Sequence, residues 1–459
     1  MTPSAASSQS ALRIGRRHEL HAPHRSARPL ASGIRRIEWA LDDEGLFSAR
    51  WLERAPLFPR FYWRSRSGGD QTLAMGNAAF GSLADLMELL DDGDPGIRIF
   101  GGCRFDSASH NGSDWIDFPD EYFFVPKAEI IHSGGRTTLA VNLVDNETDL
   151  SDVSKWIEML GDMGAAPRPG VLTRWDQPNF TAWSQAVQAA LKEFESGPLQ
   201  KVVLARKSCL ELTETITPFA LVEILAGGAP ACFHFCLQPT AESGAFLGAS
   251  PELLFRREGI RLESEAVAGT RQRSLDTVED ERLEAQLLKM SKEQLEHRLV
   301  VDSLAETFRE LCADFSQDAA PSVLKLSRVQ HLRTAIAGQL NDGVGDDTIL
   351  RAFHPTPATC GSPYAEAARF IEENEPFDRG WYAGPVGAVS RDEAEFAVAI
   401  RSMLWLGRKS MSMPGRESSK APSPSASGTS WRTKSPESFT SSPHDFRLLQ
   451  SLVGPRHCL

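Results

Sequence analysis

The stretch from Phe246 to Arg273, FLGASPELLFRREGIRLESEAVAGTRQR, constrains this chain more than any other. It reads as two β-strands joined by a polar turn. Leu253, Leu254 and Phe255 form the first apolar run, Arg256-Arg257-Glu258-Gly259 supplies the turn, and Ile260, Leu262, Ser264 and Ala266 alternate on the return. Each end carries something a plain hairpin does not need. Glu252 follows Pro251 at the head of the first strand, and the small-residue corner Ala268-Gly269-Thr270 closes the second. Backbone N–H groups and a hydroxyl at such a corner suit an anion. A carboxylate at one end and an anion nest at the other point to a site for a small acid.

Composition narrows the partners. A net charge of −12 over 459 residues argues against nucleic acid and anionic membrane. The seven cysteines, at 103, 209, 232, 236, 312, 360 and 458, are odd in number and form no CxxC. They support neither a disulfide framework nor a zinc site, and a reducing, cytoplasmic compartment fits them. The most apolar stretch, Leu221 to Leu237, is interrupted by Glu223 and a Gly-Gly-Ala-Pro turn, so no membrane span is predicted.

Residues 1–36 hold seven arginines and one acid, Glu19. An organellar transit peptide, a disordered leader and a start codon placed too early all match that composition. Order is expected from near Trp39. Between 37 and 165, Phe58 to Trp63, Ile97 to Phe105, Glu121 to Val125, Glu129 to Ile131 and Thr137 to Val144 read as short strands, with a helix over Ala84 to Leu90. Their spacing predicts one face of a large antiparallel sheet, with the Trp and Phe residues in its core.

A catalytic region is expected over 166–406. Phe180 to Ser196 has helical spacing, with Trp183, Val187, Ala190, Leu191 and Phe194 on one face. The run KVVLARK, Lys201 to Lys207, follows as a buried strand. Lys201 at its mouth is explained either by a solvated strand end or by an amine held at a dry site, where its basicity can serve a reaction. Ser291-Lys292-Glu293-Gln294 matches a capping box, which predicts a helix from Lys292 with a stripe of Leu295, Leu299, Val300, Leu304 and Phe308. Glu293 and Glu296 share one side of its first turns. They either favour the helix N-terminus electrostatically or offer oxygen ligands to a hard divalent cation.

Val329 to Thr334 reads as a strand carrying His331, a residue type that is more often a satisfied core group than a ligand. The two prolines of FHPTPATCG, Phe353 to Gly361, forbid a regular element. Tyr364 to Glu373 is predicted helical, and Gly380 to Val389 and Glu395 to Leu406 are predicted as two central strands. Arg401 interrupts the second, so it should be paired or aimed at an anion.

Taken together, KVVLAR, FLGASPELLFRR, SEAVAGTR, KEQLEH, VQHL, FHPTPATCGSP, EPFDRGWYAGPVG and FAVAIRS resemble the chorismate-utilising enzymes, the family of isochorismate, salicylate, anthranilate and aminodeoxychorismate synthases. The resemblance implies an α+β fold like that of anthranilate synthase component I: two large antiparallel sheets packed together, helices outside, and the active site between them. It implies Lys201 as the base that activates water and Glu252 as the acid for the departing hydroxyl. It implies Mg²⁺ on Glu293 and Glu296, substrate-lining roles for Gly269, Thr270, His331 and Thr359, and a carboxylate grip by Tyr382 and Arg401. Where common aminodeoxychorismate synthases carry a nucleophilic lysine, this chain has Ala268. After the Glu-His pair it has Asp302-Ser303-Leu304-Ala305, not the Arg-Asn-Asp run of anthranilate synthases. Water addition to chorismate therefore matches best, with no glutaminase subunit. Isochorismate synthase is the expected activity, feeding menaquinone, a siderophore or salicylate. Salicylate synthase, which also releases pyruvate, shares Lys201 and Glu252, and a chorismate-binding module without turnover is the non-enzymatic alternative.

From Gly407 the pattern changes. Residues 407–459 hold eight Lys/Arg against three acids, with Ser and Pro dominating 410–443. The family ends here with a strand, a glycine loop and an acidic helix that completes the metal site. Codons for Met411 to Phe439, with the third base of each read together with the first two of the next, can spell VYAGAGIVKGSEPEREWDELENKIAGIF, which is that ending. A reading-frame slip near Leu406 to Arg408 is therefore expected to have replaced the final strand and helix, leaving an exposed sheet edge and an impaired site.

Overall fold

The computed structural model describes residues 33–419 apart from 42–46, 69, 92–93, 107–112, 145–149, 159, 327, 408 and 413–414. It also describes the paired strands Arg13–Ile14 and His18–Glu19. The strand-forming sequence assembles into two antiparallel sheets of eleven and ten strands, with a small three-stranded sheet beside them. In the first sheet Arg60–Arg64, Gln71–Met75, Ala128–Ser133 and Arg136–Val144 pair in succession, and Ile34–Leu41 pairs the last of them. Order therefore begins before Trp39, and a leader boundary at residue 36 falls inside a strand. Arg36 is buried there because Glu129, itself fully buried, takes its guanidinium. Phe61, Phe235 and Phe246 of the first sheet meet Phe100 and Phe396 of the second in one core. Sheet-on-sheet packing of this kind is the expected α+β arrangement. No helix among the described residues is long and apolar enough to cross a membrane.

The catalytic half departs from the expected strands wherever the chain passes between sheets. Helix α1, Phe180–Ser196, is capped by Asn179, whose side chain accepts from Ala182 N at 3.0 Å. It buries Trp183, Ala186, Ala190 and Phe194 but leaves Leu191 exposed. KVVLARK is not one strand. It divides at Arg206 into β1, Lys201–Ala205, in the small sheet, and β2, Lys207–Leu212, in the first large sheet. At the break the amide of Ala205 donates to the Glu375 carboxylate at 2.6 Å instead of to a neighbouring strand.

The Phe246–Arg273 stretch likewise spans both sheets. Strand β3, Ala245–Ser250, belongs to the first, and β4, Leu253–Glu258, and β5, Arg261–Gln272, belong to the second. The hairpin turn is Gly259-Ile260 alone. Gly259 takes φ +56°, while Arg256, Arg257 and Glu258 pair with β5. Helix α2, Ser291–Leu311, crosses over β5 and its partner β6, Val329–Leu340. A two-residue strand β7, Gly361–Ser362, pairs with β1.

Glu395 to Leu406 also proves to be two strands. β8, Glu393–Val398, lies in the second sheet and β9, Ser402–Leu406, in the first, with Arg401 between them at φ +52°. This crossing runs beside the one at Glu252. Ser250 Oγ donates to Val398 O at 2.6 Å, Val398 N to Glu252 O at 3.1 Å, and Ala249 N to Arg401 O at 3.1 Å. Gly380 to Val389 is a strand only over Pro385–Ser390, because Ala383 sits at φ +65° in the turn before it.

The segment after Gly407 does not leave the expected open edge. Strand β10, Lys409–Ser412, pairs with both β2 and β9, and β11, Gly415–Ser419, pairs with β1. Ladder hydrogen bonds use backbone groups, which any non-proline residue supplies, so altered side chains do not prevent the pairing. The rest of the suspected slipped ending, 420–459, lies outside the described residues, as does most of 1–32.

Candidate functional site

The site begins at a β-bulge. Between β5 and β6 the register steps from Ala268 opposite Leu332 to Thr270 opposite His331, leaving Gly269 as the extra residue at φ +73°. A bulge of this kind re-aims the side chains that follow it. Thr270 Oγ1 then meets His331 Nδ1 at 2.9 Å, and Arg271 Nη2 reaches Glu293 Oε1 on α2 at 2.8 Å. Thus His331 has a partner in Thr270, and Ala268-Gly269-Thr270 is a bulge inside β5, which runs on to Gln272, and not the strand end that the sequence pattern predicts.

Helix α2 carries its acids inward. No side chain caps it, since Met290 and not Ser291 precedes its first residue, so the expected capping box does not form. Leu295 is 38% exposed, whereas Glu293, Glu296 and His297 are buried. The apolar stripe therefore starts only at Val300. Among the described residues, Glu293 Oε2 and Glu296 Oε1 are buried without a hydrogen-bond partner. Leaving such oxygens dry and unmatched is costly, and native sites that do so await a ligand, an ion or water. Two such carboxylates suit Mg²⁺, which takes one or two protein carboxylates and completes its shell with water and substrate oxygens. Among the described residues no group of three His, Cys, Asp or Glu is arranged as a metal site.

Lys201 is fully buried in β1, which removes the solvated strand end as an explanation. Its strand is flanked by the 359–361 turn: Val203 N donates to Cys360 O at 2.9 Å. Gly361, at φ +146°, passes so close that a Cβ there would lie 2.2 Å from the Lys201 carbonyl oxygen. Arg379 clamps this junction, donating to Val203 O at 2.7 Å and Thr359 O at 2.9 Å while paired with buried Glu375. Thr359 is thereby held against the lysine strand. The lysine is felt by two neighbours. Burial, and then the Lys201 charge, lower His297 to about 4, and His297 Nε2 meets Thr334 Oγ1 at 2.8 Å. Burial pushes the Cys360 thiol up to about 12, opposed by the Arg379 and Lys201 charges. Lys201 thus sits beside the start of α2 and the 359–361 turn.

The remaining expected residues lie at the sheet crossings. Glu252, 5% exposed, sits between β3 and β4, and its amide donates to Ser250 Oγ at 3.2 Å. Tyr382 is buried in the turn after Arg379 and donates its amide to the Arg379 carbonyl at 3.0 Å. Arg401, on the neighbouring crossing, lies by the buried Cys232 thiol, which burial raises and the Arg401 and Arg66 charges lower. His297, Arg271, Arg379 and Glu375 were not singled out by the sequence reading. His297 was findable, because it lies four residues after Glu293 and so projects from the same helix face.

The family model described as chorismate binding enzyme matches residues 48–413. The chain is 33% identical over 388 residues to the isochorismate synthase MenF of Escherichia coli (strain K12), a match covering 82% of this chain and 86% of that protein. It is 32% identical over 387 residues to the chloroplastic isochorismate synthase of Catharanthus roseus, covering 81% of this chain and 64% of the plant protein, so slightly less than two thirds of that relative is spanned. The solved structure of the Escherichia coli MenF, a menaquinone-specific isochorismate synthase, superposes with a TM-score of 0.75 at 29% identity, covering 86% of this chain and 91% of that one. Anthranilate synthase component I from Streptococcus pneumoniae shares the fold, with a TM-score of 0.63 at 19% identity over 77% of this chain and 88% of that one.

Proposed function

We propose, since the chain belongs to the chorismate-binding enzyme family, that it is an isomerase converting chorismate to isochorismate. The observation that carries this reading is the burial of Lys201 beside α2, the helix whose two acids each keep an unmatched oxygen. Once it has lost its proton, Lys201 Nζ takes a proton from water as the water oxygen bonds to ring C2. Both ring double bonds shift, and the C4–O bond breaks as the hydroxyl leaves as water with a proton from the Glu252 carboxyl. One water is added and one is lost, so the reaction is an isomerisation. Gly269, Thr270, His331 and Thr359 line the ring, and Tyr382 and Arg401 hold the enolpyruvyl carboxylate. Arg401 would have to turn from Cys232 to do so. Glu293 and Glu296 would hold Mg²⁺, which when bound supplies positive charge for the ring carboxylate.

Two features favour water over ammonia as the nucleophile. Ala268 leaves no side-chain amine at the corner, and buried Lys201 supports a base that activates water, so no glutaminase partner is invoked. The frame-slip reading adds that this chain binds metal weakly and has little or no turnover, because the glycine loop and acidic helix with which the family completes the site are replaced. The enzyme is read as cytoplasmic, with organellar import through the arginine-rich N-terminus, by likeness to the chloroplastic relative, as the alternative.

The test is product analysis with chorismate and Mg²⁺, on this chain and on a version with the alternative frame restored. Isochorismate from the restored protein is expected, lost in Lys201→Met and Glu252→Gln by about 10²-fold or more. Pyruvate with salicylate would replace the assignment by salicylate synthase. Chorismate binding without turnover in both versions would leave only a binding module.

A further inference from the structure

We infer that Arg271 is a displaceable counter-cation, which occupies Glu293 in the metal-free enzyme and moves to Gln330 when a divalent cation binds. The inference rests on the proposed role of Glu293 and Glu296 as metal ligands. Arg271 Nη2 lies 2.8 Å from Glu293 Oε1, while the other oxygen of that carboxylate and Glu296 Oε1 have no hydrogen-bond partner among the described residues. A dication entering between the two acids therefore meets a guanidinium already seated on one of them. Two like charges on one carboxylate in a poorly solvated site repel strongly.

The alternative seat is visible across the ladder. Gln330 is directly opposite Arg271 in the β5–β6 register, so both side chains project from the same face. Gln330 is fully buried, and neither its amide nitrogen nor its carbonyl oxygen has a hydrogen-bond partner among the described residues. A buried carboxamide with nothing to bond is a destabilising arrangement unless a second state uses it. Its carbonyl oxygen can accept the guanidinium that Glu293 releases. Gly269 brings the corner close to this turn of α2, since a Cβ there would lie 3.2 Å from both the Cβ and the carbonyl oxygen of Glu293. The arrangement makes metal binding weak in the free enzyme. It strengthens when a dianionic ligand adds negative charge, a coupling that is reciprocal between the two ligands.

The test is calorimetric titration of the full chain with Mn²⁺ alone as the probe, in wild type, Arg271→Gln, Arg271→Lys and Gln330→Leu, with cooperative melting checked for each. Arg271→Gln should bind Mn²⁺ at least about fivefold more tightly, with Arg271→Lys near wild type. Gln330→Leu, which fills the space but removes the acceptor, should bind at least about threefold more weakly. Equal or weaker binding by Arg271→Gln overturns the inference while leaving the metal reading intact. Should Arg271→Gln fail to fold, Gln330→Leu decides, and unchanged affinity there overturns the exchange. No Mn²⁺ binding by any variant, or by a frame-restored chain, defeats the metal reading together with the inference.

Discussion

Gly269 lies close against Glu293: a Cβ on the glycine would lie 3.2 Å from both the Cβ and the carbonyl oxygen of the glutamate. At φ +73°, Gly269 is also the residue that lets the bulge form. The contact sets the distance between the anion corner and the acidic turn of α2, two parts of the site that are more than twenty residues apart in sequence.

Gly269→Ala should therefore strain the bulge and lift the first turn of α2. We expect a loss of about 1–2 kcal/mol from the left-handed backbone alone. Mn²⁺ affinity should fall as well, because Glu293 is displaced. Urea denaturation and metal titration check the two effects separately. A variant that loses neither stability nor affinity contradicts the close packing.

Glu296→Gln separates function from stability. Its Oε1 is buried without a partner, so neutralising the side chain removes a desolvated charge that the fold does not match. Metal affinity should drop by about tenfold or more while the melting temperature holds or rises. A clear drop in melting temperature would show that the carboxylate is a structural group.

Arg379→Met should be among the most damaging single changes. The guanidinium ties β1 to the 359–361 turn through Val203 O and Thr359 O, and its ion pair with Glu375 is buried on both sides. Truncating one partner strands the other charge, at a cost of about 3–5 kcal/mol. Chemical denaturation measures it; a cost under about 1 kcal/mol would refute the clamp.

Acid should weaken the fold through three histidines, two buried and one half-buried. His234, His297 and His354 are each lowered to about 4, with burial the largest cause. Their unfolded values lie near 6.5, so the unfolded chain binds more protons between those limits. Stability from these groups is complete above about pH 7 and is lost as pH falls from about 6.5 towards 4. The loss is about 2 kcal/mol for each by pH 5. Denaturation curves at pH 7.5, 6 and 5 should show the slope, and His234→Gln should make it shallower. The same slope in that variant would oppose the assignment.

Much of the fold was legible from local pattern. Helix α1 and the strand Glu121–Val125 have the limits that spacing predicts. Glu252, the Gly269 corner and the two acids of α2 stood out because each broke a pattern that packing alone would have kept. Illegible were the points where an apolar run changes sheets. KVVLARK and Glu395 to Leu406 each read as one strand, since a chain entering a second core stays apolar throughout and marks the step with only a single arginine, Arg206 or Arg401.

The sequence alone determined that alternating strands would form large antiparallel sheets and which residue types would carry chemistry, because periodicity and side-chain chemistry are local properties. It also exposed the change of character after Gly407. Only the tertiary structure decided that Lys201 is dry, that Arg271 rests on Glu293 and that Arg379 binds the lysine strand to its neighbouring turn. Burial and ion pairing depend on what distant segments bring to a position, and no residue's neighbours in sequence specify that.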